Sequence, residues 1–386
     1  MELWFALGLK YAQIVLHLDL KHFIRKCMAF TGFAYTFLIS LFSFQLLIGV
    51  ESATIKADLE KIAREFREDH SIVGMSIAAI GKDGEKNLVT LGDISKKSSI
   101  QVNEYTEFRL GALTQIFTAA VLAYFVQEGR VSLDDPISKF VPKSTKLPTY
   151  KGKEITLGDL ATHTSGLPDM PYTLSSRATF TVSQMYRFLS NYELTKAPGQ
   201  SVEFSHLGYA VLATILTRIS KSSLTELFNQ LIQNPLNLHD TTFYFSKEQK
   251  KRCAVGYNGE QGISQINSEK IYSVFMGAGG LHSTDQNMLT WLSFHLGKEK
   301  TSLNSILPIM QHPYKALGKQ KIGLGWNISS LEGVEGDLFY NLGKLYGFTA
   351  YMGIIPKTGV GVVVLINQSE CELTSLAERI LKRLSD

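Results

Sequence analysis

The residues best suited to nucleophilic chemistry in this 386-residue chain are two serine and histidine pairs, Ser205 with His206 and His163 with Ser165. A serine hydroxyl attacks a carbonyl only when a base takes its proton and both side chains meet at one point. Adjacent residues on a strand point to opposite faces, and residues two apart in a loop hold no fixed relation, so neither spacing builds a nucleophile and base unaided. A helix offers another solution, because a serine and a lysine three residues later share one face. No serine in this chain is followed by lysine at the third position. Lys357-Thr358-Gly359 spells a further hydrolase motif, but it follows Pro356 and joins two apolar runs, the pattern of a type I turn.

Other chemistries find less support. The three cysteines, Cys27, Cys253 and Cys371, allow at most one internal disulfide outside the N-terminal segment and form no C-x-x-C spacing. No metal, cofactor or redox role is expected. The net charge of +4 is spread along the chain without a basic run, which argues against a nucleic-acid partner.

The elements that must position any site begin after an export segment. Lys21, Arg25 and Lys26 precede Cys27–Val50, a stretch with no charged residue, and the small or aliphatic residues Val50 and Ser52 fit cleavage after Ser52. The stretch also reaches the roughly 20 residues that a membrane span needs, so residues 1–52 read as an export signal or a membrane anchor. Residues 55–69 have helical periodicity, and 72–80 and 86–91 read as a hairpin around Lys82-Asp83-Gly84-Glu85. A mostly apolar helix is expected over 108–128, closed by Gly129. Helices follow at 156–163, 181–192, 208–220, 223–236 and 284–296. Strands are expected at 322–328, 338–341, 349–356 and 359–367, and a closing helix at 372–384.

These patterns imply an α/β (α+β) domain over 53–386, with an antiparallel sheet flanked by helices and formed by both chain ends. Residues 53–130 and 271–386 supply the α/β part, and 131–270 a helical insertion.

The order of several motifs resembles the serine β-lactamase and penicillin-binding-protein family, which includes class C β-lactamases, low-molecular-weight DD-peptidases and related esterases. The likeness covers roughly residues 55–384. It rests on the runs 108–118 (FRLGALTQIFT), 128–136 (EGRVSLDDP), 163–168 (HTSGLP), 198–200 with 204–209 (PGQ, FSHLGY), 278–284 (AGGLHST), 323–326 (GLGW), Gly347-Phe348 and 359–367 (GVGVVVLIN).

What the resemblance implies for chemistry is a loss. Where the family has its serine and lysine, this chain has Ala112 and Gln115, which supply no nucleophile and no group that takes a proton at neutral pH. The family's Tyr-x-Asn matches Phe204 and His206, so the ring remains without its hydroxyl. The Lys-x-Gly or His-x-Gly strand motif matches Asn341-Leu342-Gly343, which carries no charge for a substrate carboxylate. His163 reads as a loop-fixing residue, and His206, Asn341 and Lys344 as ligand-binding candidates. Lys344 also fits a solvated loop lysine.

Three functions remain in view. The first is a pseudoenzyme acting as an extracytoplasmic binding protein for a peptide, cell-wall fragment or protein partner. The second is an active serine hydrolase with a relocated nucleophile, and the third a scaffold tethered to the membrane by residues 27–50. Likeness of fold alone does not choose among them.

Overall fold

Continuous apolar runs near the two ends of the chain pair into the centre of one sheet. The computed structural model describes residues 54–172, 180–259, 261–263, 273–317, 320–369 and 371–386. The export signal or membrane anchor expected over residues 1–52 lies outside them. Among the described residues no helix is long and apolar enough to cross a membrane.

The strands, in chain order, are β1 (Gly74–Ile80), β2 (Lys86–Gly92), β3 (Phe108–Arg109), β4 (Gly256–Asn258), β5 (Gln261–Ile263), β6 (His282–Ser283), β7 (Lys315–Leu317), β8 (Gln320–Gly323), β9 (Trp326–Ser330), β10 (Asp337–Leu345), β11 (Phe348–Ile355) and β12 (Val360–Ile366). Eight of them form an antiparallel sheet in the order β2-β1-β12-β11-β10-β9-β8-β7. The two chain ends meet where Met75 pairs with Ile366 and Ile80 with Gly361. Every residue of β1, β11 and β12 is buried, so these strands are covered on both faces, whereas β2 alternates as a half-exposed strand does.

The helices that matter for the site are α1 (54–69), α2 (Thr114–Gln127), α3 (Leu157–Ala161), α4 (Val182–Asn191), α5 (His206–Ser220), α6 (Leu224–Phe228), α7 (Met276–Gly279), α8 (Asp285–His295) and α9 (Thr374–Ser385). On α9, Leu376, Ala377, Ile380, Leu381 and Leu384 share one face, and each large side chain among them contributes roughly 1.5–3 kcal/mol on burial. Exposed ion pairs from Arg379 to Glu65 and from Arg383 to Asp58 join α9 to α1, and pairs of this kind add at most about 1 kcal/mol each. On the opposite side α8 packs on β1 and β12.

Helix α2 is apolar nearly all round because it lies at the centre of the molecule, and Phe117 stacks on Trp291 of α8 at 4.1 Å. One hydrophobic core runs through the sheet, α2, α5 and α8.

Three expected elements differ from the observed ones. Residues 108–113 are not helix. Phe108-Arg109 pairs with His282-Ser283, and a 3-10 turn over Gly111–Leu113 leads into α2. The strand expected over 322–328 is two strands, because the turn at Leu324-Gly325, with Gly325 at φ +75°, folds β9 back on β8. Ser205-His206 is not strand either, since Ser205 caps the start of α5. The Lys357-Thr358-Gly359 stretch is the turn between β11 and β12, with Gly359 at φ +73° and the Lys357 ammonium on Glu335. Cys253 and Cys371 are free thiols.

Candidate functional site

The centre of the site is fixed by two glycines. Strand β10 approaches the turn before α2 so closely that a Cβ on Gly343 would lie 2.0 Å from Leu110 O and 2.9 Å from Ala112 N. Gly111 has φ +52°, and a Cβ there would lie 2.8 Å from Lys344 N. This contact places Ala112, the first residues of α2 and the end of β10 side by side. Gly343→Ala is therefore expected to cost about 1–3 kcal/mol of overpacking. A thermal melt showing wild-type stability for that variant would contradict the close approach.

Ala112 is buried, and Gln115 is fully buried one helical turn later. His163 Nδ1 accepts a hydrogen bond from Ser205 N at 3.1 Å, so its proton sits on Nε2, which donates to Gln115 Oε1 at 3.1 Å. The same logic orients the amide, and it leaves Gln115 Nε2 buried with no hydrogen-bond partner among the described residues. Burial, with the neighbouring His206 adding to it, lowers His163 to a pKa of about 3. Both ring nitrogens are engaged and the ring is neutral, so His163 is not placed to accept a proton from a hydroxyl.

The neighbouring serines have structural duties. Ser205 Oγ donates to Pro168 O at 2.7 Å and accepts from Gly208 N at 2.9 Å, which makes it the N-cap of α5. Ser165 is buried and its Oγ accepts from Leu167 N at 3.3 Å. Neither pair forms a serine–histidine contact of the catalytic kind. The Phe204 ring, 44% exposed, lies 4.6 Å from the His163 ring and 4.8 Å from that of His206.

Beside this cluster opens a cavity of about 220 Å³. Gly111, Gly279 and Gly280 give it room, and Met170, Phe243, Phe275, Met276 and Leu345 make most of its wall apolar. Arg109, Lys344, Tyr346 and the pair Asp169–His206 complete it. No serine, threonine or cysteine is among these lining residues. His206 Nδ1 lies 2.6 Å from Asp169 Oδ1, which also accepts from His206 N at 3.1 Å. Partial burial alone would raise the Asp169 carboxyl, but the hydrogen bonds from His206 outweigh it and hold the group below its ordinary value.

Of the ligand-binding candidates read from the sequence, His206 and Lys344 thus meet on the cavity wall. Asn341 does not join them. It is buried, with Nδ2 donating to Gly325 O at 2.8 Å and Oδ1 accepting from Leu342 N at 2.7 Å, so it holds the β8–β9 turn. Lys344 is exposed, and its charge also lowers the Glu372 carboxyl, after the larger effect of hydrogen bonds from Thr374.

Sequence reasoning missed Arg109, Asp169, Met170 and Met276 as wall residues, and the buried network behind Arg109. There, Glu107 and His282 are both fully buried and hydrogen-bonded at 2.9 Å, while Arg252 pairs with Asp240 and lies 3.5 Å from Glu107. Burial pushes Glu107 up to about 8, against the pull of Arg252, and lowers His282, so both favour their neutral forms. Phe245 stacks on His282 at 3.5 Å, and the Arg109 guanidinium lies 5.5 Å from the Phe245 ring.

Comparison with known proteins fits this geometry. The Beta-lactamase family model matches residues 59–384. The chain belongs to the beta-lactamase family. It is 31% identical over 315 residues to the D-alanyl-D-alanine-carboxypeptidase/endopeptidase AmpH of Escherichia coli K12, covering 77% of this chain and 80% of that protein. It is 24% identical to the protein flp of Staphylococcus aureus N315, covering 83% of this chain and 65% of that one. Among solved structures, a Beta-lactamase/D-alanine Carboxypeptidase from Yersinia pestis superimposes with a TM-score of 0.73 at 22% identity, covering 85% of this chain and 97% of that one. The octameric penicillin-binding protein homologue from Pyrococcus abyssi gives 0.72 at 25% identity, covering 85% and 77%.

Proposed function

We propose that this chain is a non-hydrolytic member of its family, an extracytoplasmic binding protein that uses the family's cleft to hold a peptide, a cell-wall fragment or a segment of a protein partner. The observation that carries the reading is the hydrogen-bond chain Ser205 N to His163 to Gln115 beside Ala112. Acyl transfer needs an oxygen or sulfur nucleophile and a base within reach of it. Position 112 offers a methyl group, Gln115 directs its carbonyl oxygen to His163, and among the described residues the cavity wall holds no serine, threonine or cysteine. What the cleft retains is volume, apolar surface and a few polar groups, the makings of a binding site. The apolar run after Lys21, Arg25 and Lys26 supports placement outside the cytoplasm, as a secreted or membrane-anchored protein.

The name of the Escherichia coli relative makes a peptide ending in D-alanyl-D-alanine a natural first ligand to try. Intact-mass spectrometry of the purified chain with a fluorescent penicillin or a fluorophosphonate is expected to show no added mass. An adduct would overturn the reading, and its position would name a relocated nucleophile.

A further inference from the structure

We propose that Glu107 and His282 form a proton-controlled latch behind the cavity. While they share a proton they hold three wall segments together, and on its loss the Glu107 carboxylate turns to Arg252 and Gln249 and the wall loosens around Phe243 and Gly279-Gly280.

The hydrogen bonds fix where the proton sits. Thr242 Oγ1 donates to Tyr244 O at 3.0 Å, so it accepts from His282 Nε2, also at 3.0 Å. A neutral ring protonated at Nε2 offers a lone pair at Nδ1, and Glu107 Oε2, 2.9 Å away, must then donate the proton. Both side chains are fully buried, which favours this uncharged arrangement.

A second resting place for the carboxylate is already built. Glu107 Oε1 accepts no hydrogen bond of ordinary geometry among the described residues, and Arg252 Nη2 lies 3.5 Å from it. The buried Gln249 amide lies beside the same carboxyl, with its Nε2 equally without a partner among the described residues. Once the proton is lost, Oε2 and Nδ1 present lone pairs to each other, while Oε1 has a cation and an amide donor to turn to. Asp240 pairs with Arg252 and opposes the loss of the proton, so it competes with Glu107 for the guanidinium. The remaining groups around the pair are Arg109, which like Arg252 disfavours charge on His282, and Cys253, which acts on Arg252.

The backbone couples the latch to the cavity. Glu107 N donates to Arg252 O, Ala254 N donates to Glu107 O, and Arg109 in the strand that follows pairs with His282. His282 exchanges both backbone hydrogen bonds with Thr242, the residue before Phe243, and it comes two residues after Gly280. One buried pair thus ties together the segments 107–111, 242–245 and 279–283. Burial raises Glu107 from 4.5 to about 8, so the stabilisation from its proton is full below pH 4.5 and is lost as pH rises through about 8.

The test is amide hydrogen exchange of the full purified chain, read by mass spectrometry at pH 6.5 and pH 9 and corrected for the intrinsic chemical rate. Peptides covering 240–246 and 279–283 are expected to exchange about tenfold faster at pH 9, with β11 and β12 changed by less than about twofold. Glu107→Gln is expected to remove the acceleration, because the glutamine amide donates to Nδ1 as the acid does and does not ionise. Running both chains on an Asp285→Asn background removes the other buried carboxyl that burial raises. No acceleration in the parent chain, a uniform acceleration that includes β11 and β12, or one that survives Glu107→Gln overturns the proposal. The contrast between wall and sheet within the parent chain decides even where Glu107→Gln fails to fold.

Discussion

Asp285→Asn is expected to raise the melting temperature strongly at pH 8 and to leave it nearly unchanged at pH 4. Asp285 opens α8 after the N-cap Thr284, where a helix N-terminus ordinarily favours a carboxylate. Here it is fully buried, and neither carboxylate oxygen accepts a hydrogen bond of ordinary geometry among the described residues. Burial raises the carboxyl from 3.8 to about 7, with Ser76 on the facing strand opposing and Glu104 adding to the rise.

The folded state therefore holds this proton more tightly than the unfolded chain does. The stabilisation is fully present below pH 3.8, falls as pH rises, and is gone above pH 7. At about 1.36 kcal/mol per pH unit, the difference is on the order of 4 kcal/mol. Asparagine keeps the shape without the charge, so the variant escapes that loss. Glu107, raised to about 8 by burial, acts in the same direction, so the variant keeps part of the wild-type decline between pH 5 and 8. Melts at pH 4, 6 and 8 check this. Parallel curves for wild type and variant would show that Asp285 is already solvated or paired in the folded state.

Much of the scaffold was legible because it is written in local pattern. The apolar runs that become β11 and β12 and the one-sided periodicity of α9 each depend on residues close together in sequence. The errors fall where distant elements decide. Residues 108–113 have a helix's composition, but the approach of β10 requires the left-handed Gly111 and an irregular entry into α2. Likewise Gly325 turns the chain where its Cβ would lie 2.9 Å from Ile116 Cα, so α2 sets a break that the flanking apolar residues conceal. A closer signal was present at Ser205, whose type favours an N-cap over a strand.

The site divides in the same way. The placing of Ala112 and Gln115 one turn apart at the start of α2 could be read by position, because the run 108–118 is uninterrupted. The cavity wall could not, because Arg109, Asp169, Phe243 and Met276 come from four separate segments that only the folded chain brings together. Asn341 shows the converse error. An amide in the place of a charged family residue looked available for a ligand, but the backbone at Gly325 and Leu342 uses both its ends.

Ala112→Ser combined with Gln115→Lys is expected to yield a less stable protein that hydrolyses no chromogenic β-lactam. The serine restores a hydroxyl at the start of α2, but the lysine enters a fully buried place that now holds a neutral amide. A buried ammonium without a paired anion loses its hydration, which lowers its pKa and costs on the order of 3 kcal/mol or more. Its surroundings aggravate this, because His163 Nε2 presents a proton to position 115 and lysine has no acceptor for it. To offer a lone pair there instead, the ring must release Ser205 N, the hydrogen bond that helps to hold the start of α5. Phe204 meanwhile supplies no hydroxyl to carry a proton to the leaving group. Adding Phe204→Tyr should be tolerated, since that ring is 44% exposed, and it isolates the missing hydroxyl from the packing defect. Turnover by the double variant alone would show that the amide-for-lysine exchange is the whole of the block, and that neither the His163 hydrogen-bond chain nor Phe204 contributes to it.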